Sequence, residues 1–354
     1  MYRAILRPLL FRLSPSRAHA LAFAGLRVLE HLPPMLALTR AAYRVRAPSI
    51  AVTTLGLTFP NPIGLAGGFD KDVRCPHALA ALGFGFLELG TVTAKAQAQN
   101  PPPNMFRLPA DRALINRLGF PNDGALVVAE RLRAARARRA FEVPVGVSIG
   151  KSRVVEVEPI EPAIDDYLES FRAVRDVADF VVVNVSSPNT KNLRALQGAD
   201  VARALLEAIG QENERGKRVP LLVKIAPDLD DTALDQLLDV VAATRFDGVV
   251  ATNTTIKREG LASDAGVVEA IGAGGLSGPP VRARALEVVK RSRERLGAEA
   301  TIIGVGGVSN VDHVLALKAA GADLVQLYTG FIYEGPGIAT RLARDLRALH
   351  ATKR

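Results

Sequence analysis

The stretch Asn184-Val-Ser-Ser-Pro-Asn-Thr190 sets two amides and three hydroxyls around a proline, directly after the apolar run Phe180-Val-Val-Val. A β-branched run of this kind reads as a buried strand. Polar groups crowded at its C-terminal end are costly unless something there needs them. In a parallel α/β barrel, that end of a strand is where active sites are assembled. A Ser-Pro turn with a capping Asn would use the same residues, so the rest of the chain has to decide between the two.

Other apolar runs end in the same way. Gly67-Gly-Phe-Asp-Lys71 follows one, and Gly90-Thr91 another, with Asn116-Arg-Leu-Gly-Phe120 further along the same connection. Ser148-Ile-Gly-Lys151, Ala226-Pro-Asp228, Thr252-Asn-Thr-Thr255 with Gly274-Gly-Leu-Ser-Gly278, Gly304-Val-Gly-Gly307 and Tyr328-Thr-Gly330 complete the set. The last two fit a phosphate site, because glycines let backbone N–H groups approach an anion and barrels often bind phosphate after strands 7 and 8. Lys224 lies inside an apolar run and must be paired or have its pKa lowered. A structural ion pair, contact with an anionic cofactor and Schiff-base chemistry all satisfy that demand. Asn116, Asn184, Asn189 and Asn253 would together bind a planar molecule with donor and acceptor edges, such as a pyrimidine or another cyclic imide. Lys71 is placed to hold a carboxylate. No His or carboxylate candidate for a general base stands among Lys71 and the four Asn positions, so by elimination the base would be Ser187 or Ser186, helped by its neighbours.

Positioning these residues requires eight strands: Ile63–Ala66, Phe86–Leu89, Val145–Ile149, Phe180–Val185, Leu221–Ile225, Gly248–Ala251, Thr301–Val305 and Leu324–Leu327. Helical patterns over 72–82, 122–140, 162–177, 199–214, 231–243, 281–295 and 310–320 separate them. The alternation predicts an α/β fold, a (β/α)8 TIM barrel. Gly64-Leu-Ala-Gly-Gly68 is not the fingerprint of a doubly wound dinucleotide fold. Two long connections, 91–121 and 252–280, are expected to form lids or site walls.

With 48% hydrophobic and 23% charged residues, the 354-residue chain has a globular composition. Its single cysteine, Cys75, excludes an intramolecular disulfide and is expected to be simply buried. The five histidines are scattered, and no metal site is expected. The net charge of +9 is concentrated: residues 1–46 carry eight Arg against Glu30 alone, and the remainder is nearly neutral. No aromatic–basic interleaving supports nucleic-acid binding. Tyr2, Ile5, Leu6, Leu9, Leu10 and Leu13, and then Ala18 to Leu29 after the Ser14-Pro15 cap, recur at helical spacing. They predict two Arg-rich amphipathic helices ending near Leu32-Pro33-Pro34. Such helices suit an anionic membrane surface. A helical pair packed on the body, and a transit peptide, are the alternatives; low Ser content argues against the second. Arg7 and Arg12 interrupt any signal-peptide core.

The motifs GLAGGFDKD, ELGTVT, FRL, NRLGFPN, NVSSPNT, VKIAPD, ATNTT, GGLSG, IIGVGGV and QLYTGF occur in order along the chain. In these it resembles, over essentially its whole length, the membrane-associated, quinone-dependent class (class 2) of dihydroorotate dehydrogenases. The resemblance implies oxidation of (S)-dihydroorotate to orotate in de novo pyrimidine (UMP) biosynthesis. One FMN would accept the hydride and pass its electrons to a membrane quinone. It implies flavin contacts at Gly67, Gly68, Phe69, Asp70, Lys71, Thr91, Ser148, Asn184, Lys224, Thr252, Gly278, Gly307, Tyr328 and Thr329. Substrate contacts would fall on Lys71, Asn116, Arg117, Leu118, Gly119, Phe120, Asn184, Asn189, Asn253 and Thr254. Ser187 matches the base that takes the C5 proton while hydride leaves C6, and Thr190 a residue that passes the proton on. The soluble class has cysteine where Ser187 stands. Ser148 replaces the family's common Asn and is expected to be a weaker contact. His19, Arg107 and Tyr328 match the inner end of the quinone site.

The implied organisation is N-terminal helices over 1–46 for membrane association and quinone access, and a catalytic barrel over 47–354. The implied setting is a monomeric peripheral protein on the cytoplasmic face of a bacterial inner membrane. Two rival readings remain at this level: a barrel aldolase or isomerase using Lys224 as a Schiff base, and a membrane-binding module with a non-catalytic barrel.

Overall fold

Eight short runs rich in Val, Ile and Leu pair side by side into a closed barrel in the computed structural model, which describes residues 2–352. The strands are β1 (Ile63–Leu65), β2 (Phe86–Val92), β3 (Val145–Ile149), β4 (Phe180–Asn184), β5 (Leu221–Ile225), β6 (Gly248–Ala251), β7 (Thr301–Val305) and β8 (Leu324–Leu327). All pairings are parallel, and β8 closes on β1 with Val325 opposite Ile63, Gln326 opposite Gly64 and Leu327 opposite Leu65. Helices cover the outside and side chains fill the inside. Such strands are buried on both faces, which is why their sequences are continuous apolar runs rather than alternating ones. The result is the expected (β/α)8 barrel with N-terminal helices.

The N-terminal end of the barrel is plugged. An antiparallel hairpin, Val52–Thr54 with Leu57–Phe59, lies across it. Phe59, Phe86 and Phe180 meet edge to face with centroids 5.4 and 6.3 Å apart. Their bulk is matched by missing side chains: a Cβ on Gly64 would stand 2.3 Å from the Phe86 ring, and one on Gly146 2.2 Å from the Phe180 ring. This packing leaves the C-terminal end for a site.

The two long connections are walls of that site, built in an unexpected way. Met105–Leu108, Ala113–Asn116 and Gly275–Ser277 form an antiparallel three-stranded sheet shared between them. Several boundaries also move. Strand β2 runs on to Val92 and so contains Thr91, and β4 stops at Asn184. The helix expected over 72–82 is only Pro76–Ala81, because the Asp70 carboxylate accepts the backbone N–H groups of Arg74 (2.8 Å) and Cys75 (2.9 Å) and holds a turn there.

Three N-terminal helical segments are present where two were expected. Tyr2–Leu6 continues into Arg7–Arg12. Pro15–Glu30 starts at the Ser14 cap, and Pro33–Tyr43 follows it. Pro33-Pro34 reads as a stop in sequence, yet proline at the first helical position is also a start. These segments are fastened to the barrel. The Tyr2 hydroxyl donates to the Ile332 carbonyl (2.6 Å), and buried Glu30 accepts the Ala78 N–H (2.8 Å) and pairs with Arg138. Among the described residues no single helix is long and apolar enough to cross a membrane; Pro15–Glu30 and Pro33–Tyr43 pass that test only together, bent by 108°.

Candidate active site

Seven of the eight barrel strands, all but β3, deliver their last polar residues to one cavity at the C-terminal end. Lining it are Lys71 after β1, Thr91 in β2, Asn184 and Ser187 at β4, Lys224 in β5, Thr252 to Thr254 after β6, Gly306 and Gly307 after β7, and Tyr328 and Thr329 after β8. The shared three-stranded sheet and its flanks add Met105, Leu114, Asn116, Leu118, Gly119, Phe120, Ser277 and Gly278.

The four predicted amides do converge, and they order one another. Asn189 Nδ2 donates to Asn116 Oδ1 (3.2 Å), and Asn253 Nδ2 donates to Ser186 Oγ (3.0 Å) and Asn184 Oδ1 (3.4 Å). Asn184 Nδ2 donates to Thr91 Oγ1 (2.9 Å), and the buried Tyr167 hydroxyl donates to the Asn184 carbonyl (2.9 Å). The two serines differ. Ser186 Oγ gives its proton to Asn184 Oδ1 (3.1 Å) and accepts from Asn253, so its hydroxyl is committed. Ser187 lines the cavity and accepts only the Asn189 backbone N–H (3.2 Å). No Asp, Glu or His lines the cavity among the described residues, and the two cations that do are Lys71 and Lys224.

Lys224 Nζ donates to Glu88 Oε1 (2.9 Å), and Gln326 Nε2 donates to Glu88 Oε2 (2.9 Å), with Glu88 almost wholly buried beneath the cavity floor. The lysine is therefore an ion-paired cation, which disfavours Schiff-base chemistry, since that needs a neutral amine. Burial lowers Lys71 to about 8, against the opposing pull of Asp72 and Asp70. Burial alone pushes Tyr328 up to about 12, so it stays a neutral phenol.

Four expected contacts do not line this cavity. Phe69 lines the neighbouring apolar cavity instead. Asp70 is spent on the turn. Ser148 lies behind Thr91, its hydroxyl 2.9 Å from Thr91 Oγ1. Arg117 turns its guanidinium away, donating to the Ile271 and Ala273 carbonyls (2.5 and 2.9 Å) over the Phe106 ring. Gln326 and Glu88 were missed by sequence reasoning. The signal was there: each is a polar residue inside an apolar barrel strand, where it needs a partner.

A second, apolar cavity of about 440 Å³ lies between the N-terminal helices and the barrel. His19 and Arg107 line it, with Tyr2, Leu10, Phe11, Leu26 and Phe331, while Tyr328 belongs to the polar cavity. Phe69 stands between, its ring 6.0 Å from Tyr328 and 5.5 Å from His19. Burial and the Lys71 charge hold His19 down to about 4. Cys75 is buried with its thiol pushed well above the usual range by burial and by Asp70 and Glu30.

Residues 49–349 match the family model for dihydroorotate dehydrogenase. The chain belongs to the dihydroorotate dehydrogenase family. It is 49% identical over 351 residues to "Dihydroorotate dehydrogenase (quinone)" of Thermobifida fusca, covering 99% of this chain and 92% of that protein. It is 51% identical over 338 residues to the protein of the same name from Clavibacter sepedonicus, covering 95% of each. The crystal structure of Eimeria tenella DHODH in complex with ferulenol superposes with a TM-score of 0.82 at 36% identity, covering 96% of this chain and 92% of that one. Likeness at this level over nearly full length places the chain in the quinone-dependent class, oxidoreductases of pyrimidine biosynthesis, and membership implies a flavin.

The residues present fit such a group. Gly278 (φ +103°) and Gly307 (φ +65°) bring bare backbone to the cavity. A Cβ on the first would lie 2.9 Å from the Arg112 carbonyl, and one on the second 3.1 Å from the Gly278 carbonyl. Ser277 and Thr329 add hydroxyls 2.8 Å apart beside them. Gln326 Oε1 is buried without a partner in the protein, an acceptor left for a ligand N–H.

Proposed function

We propose that the chain oxidises (S)-dihydroorotate to orotate with FMN as its flavin and Ser187 as the base, and that a membrane quinone takes the electrons. The observation that carries this reading is the cavity-facing Ser187 hydroxyl. It stands among four ordered amides and two cations where no carboxylate or imidazole could do its work.

Lys71 pairs with the substrate carboxylate, and Asn116, Asn184, Asn189 and Asn253 match the donor and acceptor edges of the dihydropyrimidine ring. Ser187 takes the C5 proton. A serine is a weak base, and two features support it: the Asn189 N–H donates to its oxygen, and the nearby cations favour negative charge. Thr190, whose buried Oγ1 has no partner in the protein, passes the proton on. When bound, the flavin supplies a hydride acceptor that is reoxidised by one- or two-electron steps. Lys224, Thr91 and the Gly278–Gly307 cradle hold it, with Phe120, Leu118 and Met105 excluding water.

Residues 1–46 serve membrane docking and quinone access, and residues 47–354 catalysis. Nine of the sixteen large exposed apolar side chains among the described residues lie in the first 46, from Ile5 to Leu38, beside the Arg cluster. That pattern suits a peripheral protein on an anionic surface, at the cytoplasmic face of a bacterial inner membrane. The enzyme acts there as a monomer. An anaerobic titration tests the reading: dihydroorotate should bleach the flavin absorbance and a quinone restore it, whereas an unbleached flavin would refute it.

A further inference from the structure

Arg194 lies outside the cavity, in the short 3-10 turn Leu193–Gln197 that follows the site loop. Its three guanidinium nitrogens go to three different strand ends. Nε donates to the Ser186 carbonyl (3.0 Å) after β4, Nη1 to Asp228 Oδ2 (2.7 Å) after β5, and Nη2 to the Thr254 carbonyl (2.9 Å) after β6. Asp228 in turn accepts the Thr255 hydroxyl and the Ile256 N–H, so the carboxylate belongs to the same clamp. From the cavity side, Asn253 reaches Ser186 and Asn189 reaches Asn116.

We propose that Arg194 is a positioning residue for proton abstraction, acting through the Ser186–Ser187 peptide and resting on the reading of Ser187 as the base. The residues between Asn184 and Leu193 form no regular element, so the backbone of β4 does not itself aim Ser187. Fixing the Ser186 carbonyl fixes the peptide plane that ends at the Ser187 Cα. Fixing the Thr254 carbonyl with the same rigid group ties that plane to Asn253, which helps hold the substrate. The planar fork suits the task, and an ammonium on a flexible stem cannot make three bonds in one plane. A misplacement of about 1 Å costs a reacting pair on the order of a hundredfold.

The test measures the two half-reactions separately in full-length, flavin-loaded enzyme by anaerobic stopped flow. Dihydroorotate drives reduction and a short-chain ubiquinone drives reoxidation. Arg194→Ala should slow reduction on the order of a hundredfold while flavin content and reoxidation stay at wild-type values. Arg194→Lys keeps the charge and the Asp228 pair, loses the fork, and should still be slowed at least about tenfold. Guanidinium chloride should restore part of the reduction rate to Arg194→Ala and none to Ser187→Ala. Reduction at the wild-type rate in both Arg194 variants overturns the proposal, as does equal slowing of both half-reactions with loss of flavin, which marks a scaffold role. Should the alanine variant not fold, the lysine variant decides by the same split. Ser187→Ala run in parallel separates the readings: wild-type reduction there sinks the base assignment, while its loss beside unaffected Arg194 variants sinks only the clamp.

Discussion

Lys224 Nζ and Glu88 Oε1 lie 2.9 Å apart at the floor of the cavity, with both side chains buried and the two residues 136 positions apart in the chain. The pair lets a cation line the cavity without being an isolated buried charge. Gly67 is part of the arrangement, since a Cβ there would lie 2.3 Å from Glu88 Oε1.

Breaking that pair from one side should be costly. Glu88→Gln or Lys224→Met alone leaves a buried charge unmatched, and each should lower unfolding stability by about 3–5 kcal/mol. The double variant removes both charges and should recover much of the loss. Thermal or urea unfolding of the four proteins completes the cycle, and additive losses would show that the two groups do not act as a pair.

The two adjacent serines should separate cleanly. Ser187→Ala should keep its flavin and slow substrate-driven bleaching by about 10²–10⁴-fold, the range of a lost general base. Ser186→Ala removes one hydroxyl from the Asn184–Asn253 network and should cost about tenfold, as one buried hydrogen bond is worth. Single-turnover absorbance reads both. Comparable losses would mean that the hydrogen bonds of Ser186 do not distinguish the two residues.

This distinction was invisible in the sequence, which offered both hydroxyls side by side. The strands were legible because a parallel barrel buries both faces, so Phe180–Val183 or Leu221–Val223 can only be apolar. The convergence of Asn184 with Asn253 was legible too, since strand ends share one rim. Direction was not: Arg117 sits inside the NRLGFPN motif, yet its guanidinium leaves for two carbonyls near residue 272. Long-range partnership was hidden as well. Nothing local marks Arg194 among the other arginines, and its role exists only once three strand ends are neighbours.

Orotate binding should depend on pH through Lys71. Burial lowers its pKa to about 8, so the free site holds an ammonium below that pH and a neutral amine above it. A carboxylate ligand needs the ammonium, and binding takes up a proton on the alkaline side. The dissociation constant, followed by the flavin spectrum, should be flat below pH 8 and rise by about tenfold per pH unit above it. Lys71→Met should bind weakly at every pH with no such rise. A wild-type constant flat to pH 10 would remove Lys71 from the carboxylate contact.

His19 makes the docking of the N-terminal helices sensitive to acid. Its ring packs against Phe23 and Phe69, and burial with the Lys71 charge holds it to about 4. In a free helix the same imidazole titrates near about 6.5, so the docked form binds fewer protons. The contribution of docking is therefore intact above pH about 6.5 and declines as pH falls from there towards 4. Glu30 on the same helix has a raised pKa and works in the opposite sense, so the wild type alone cannot isolate the effect. The comparison is between wild type and His19→Phe, which share Glu30 and Lys71. Their difference in urea unfolding should shift towards the variant by on the order of 1 kcal/mol between pH 7.5 and 5.0, allowing for the partial exposure of the ring. A difference that does not move with pH would mean that His19 keeps its proton equilibrium with water, and that the apolar cavity beside it is open to solvent.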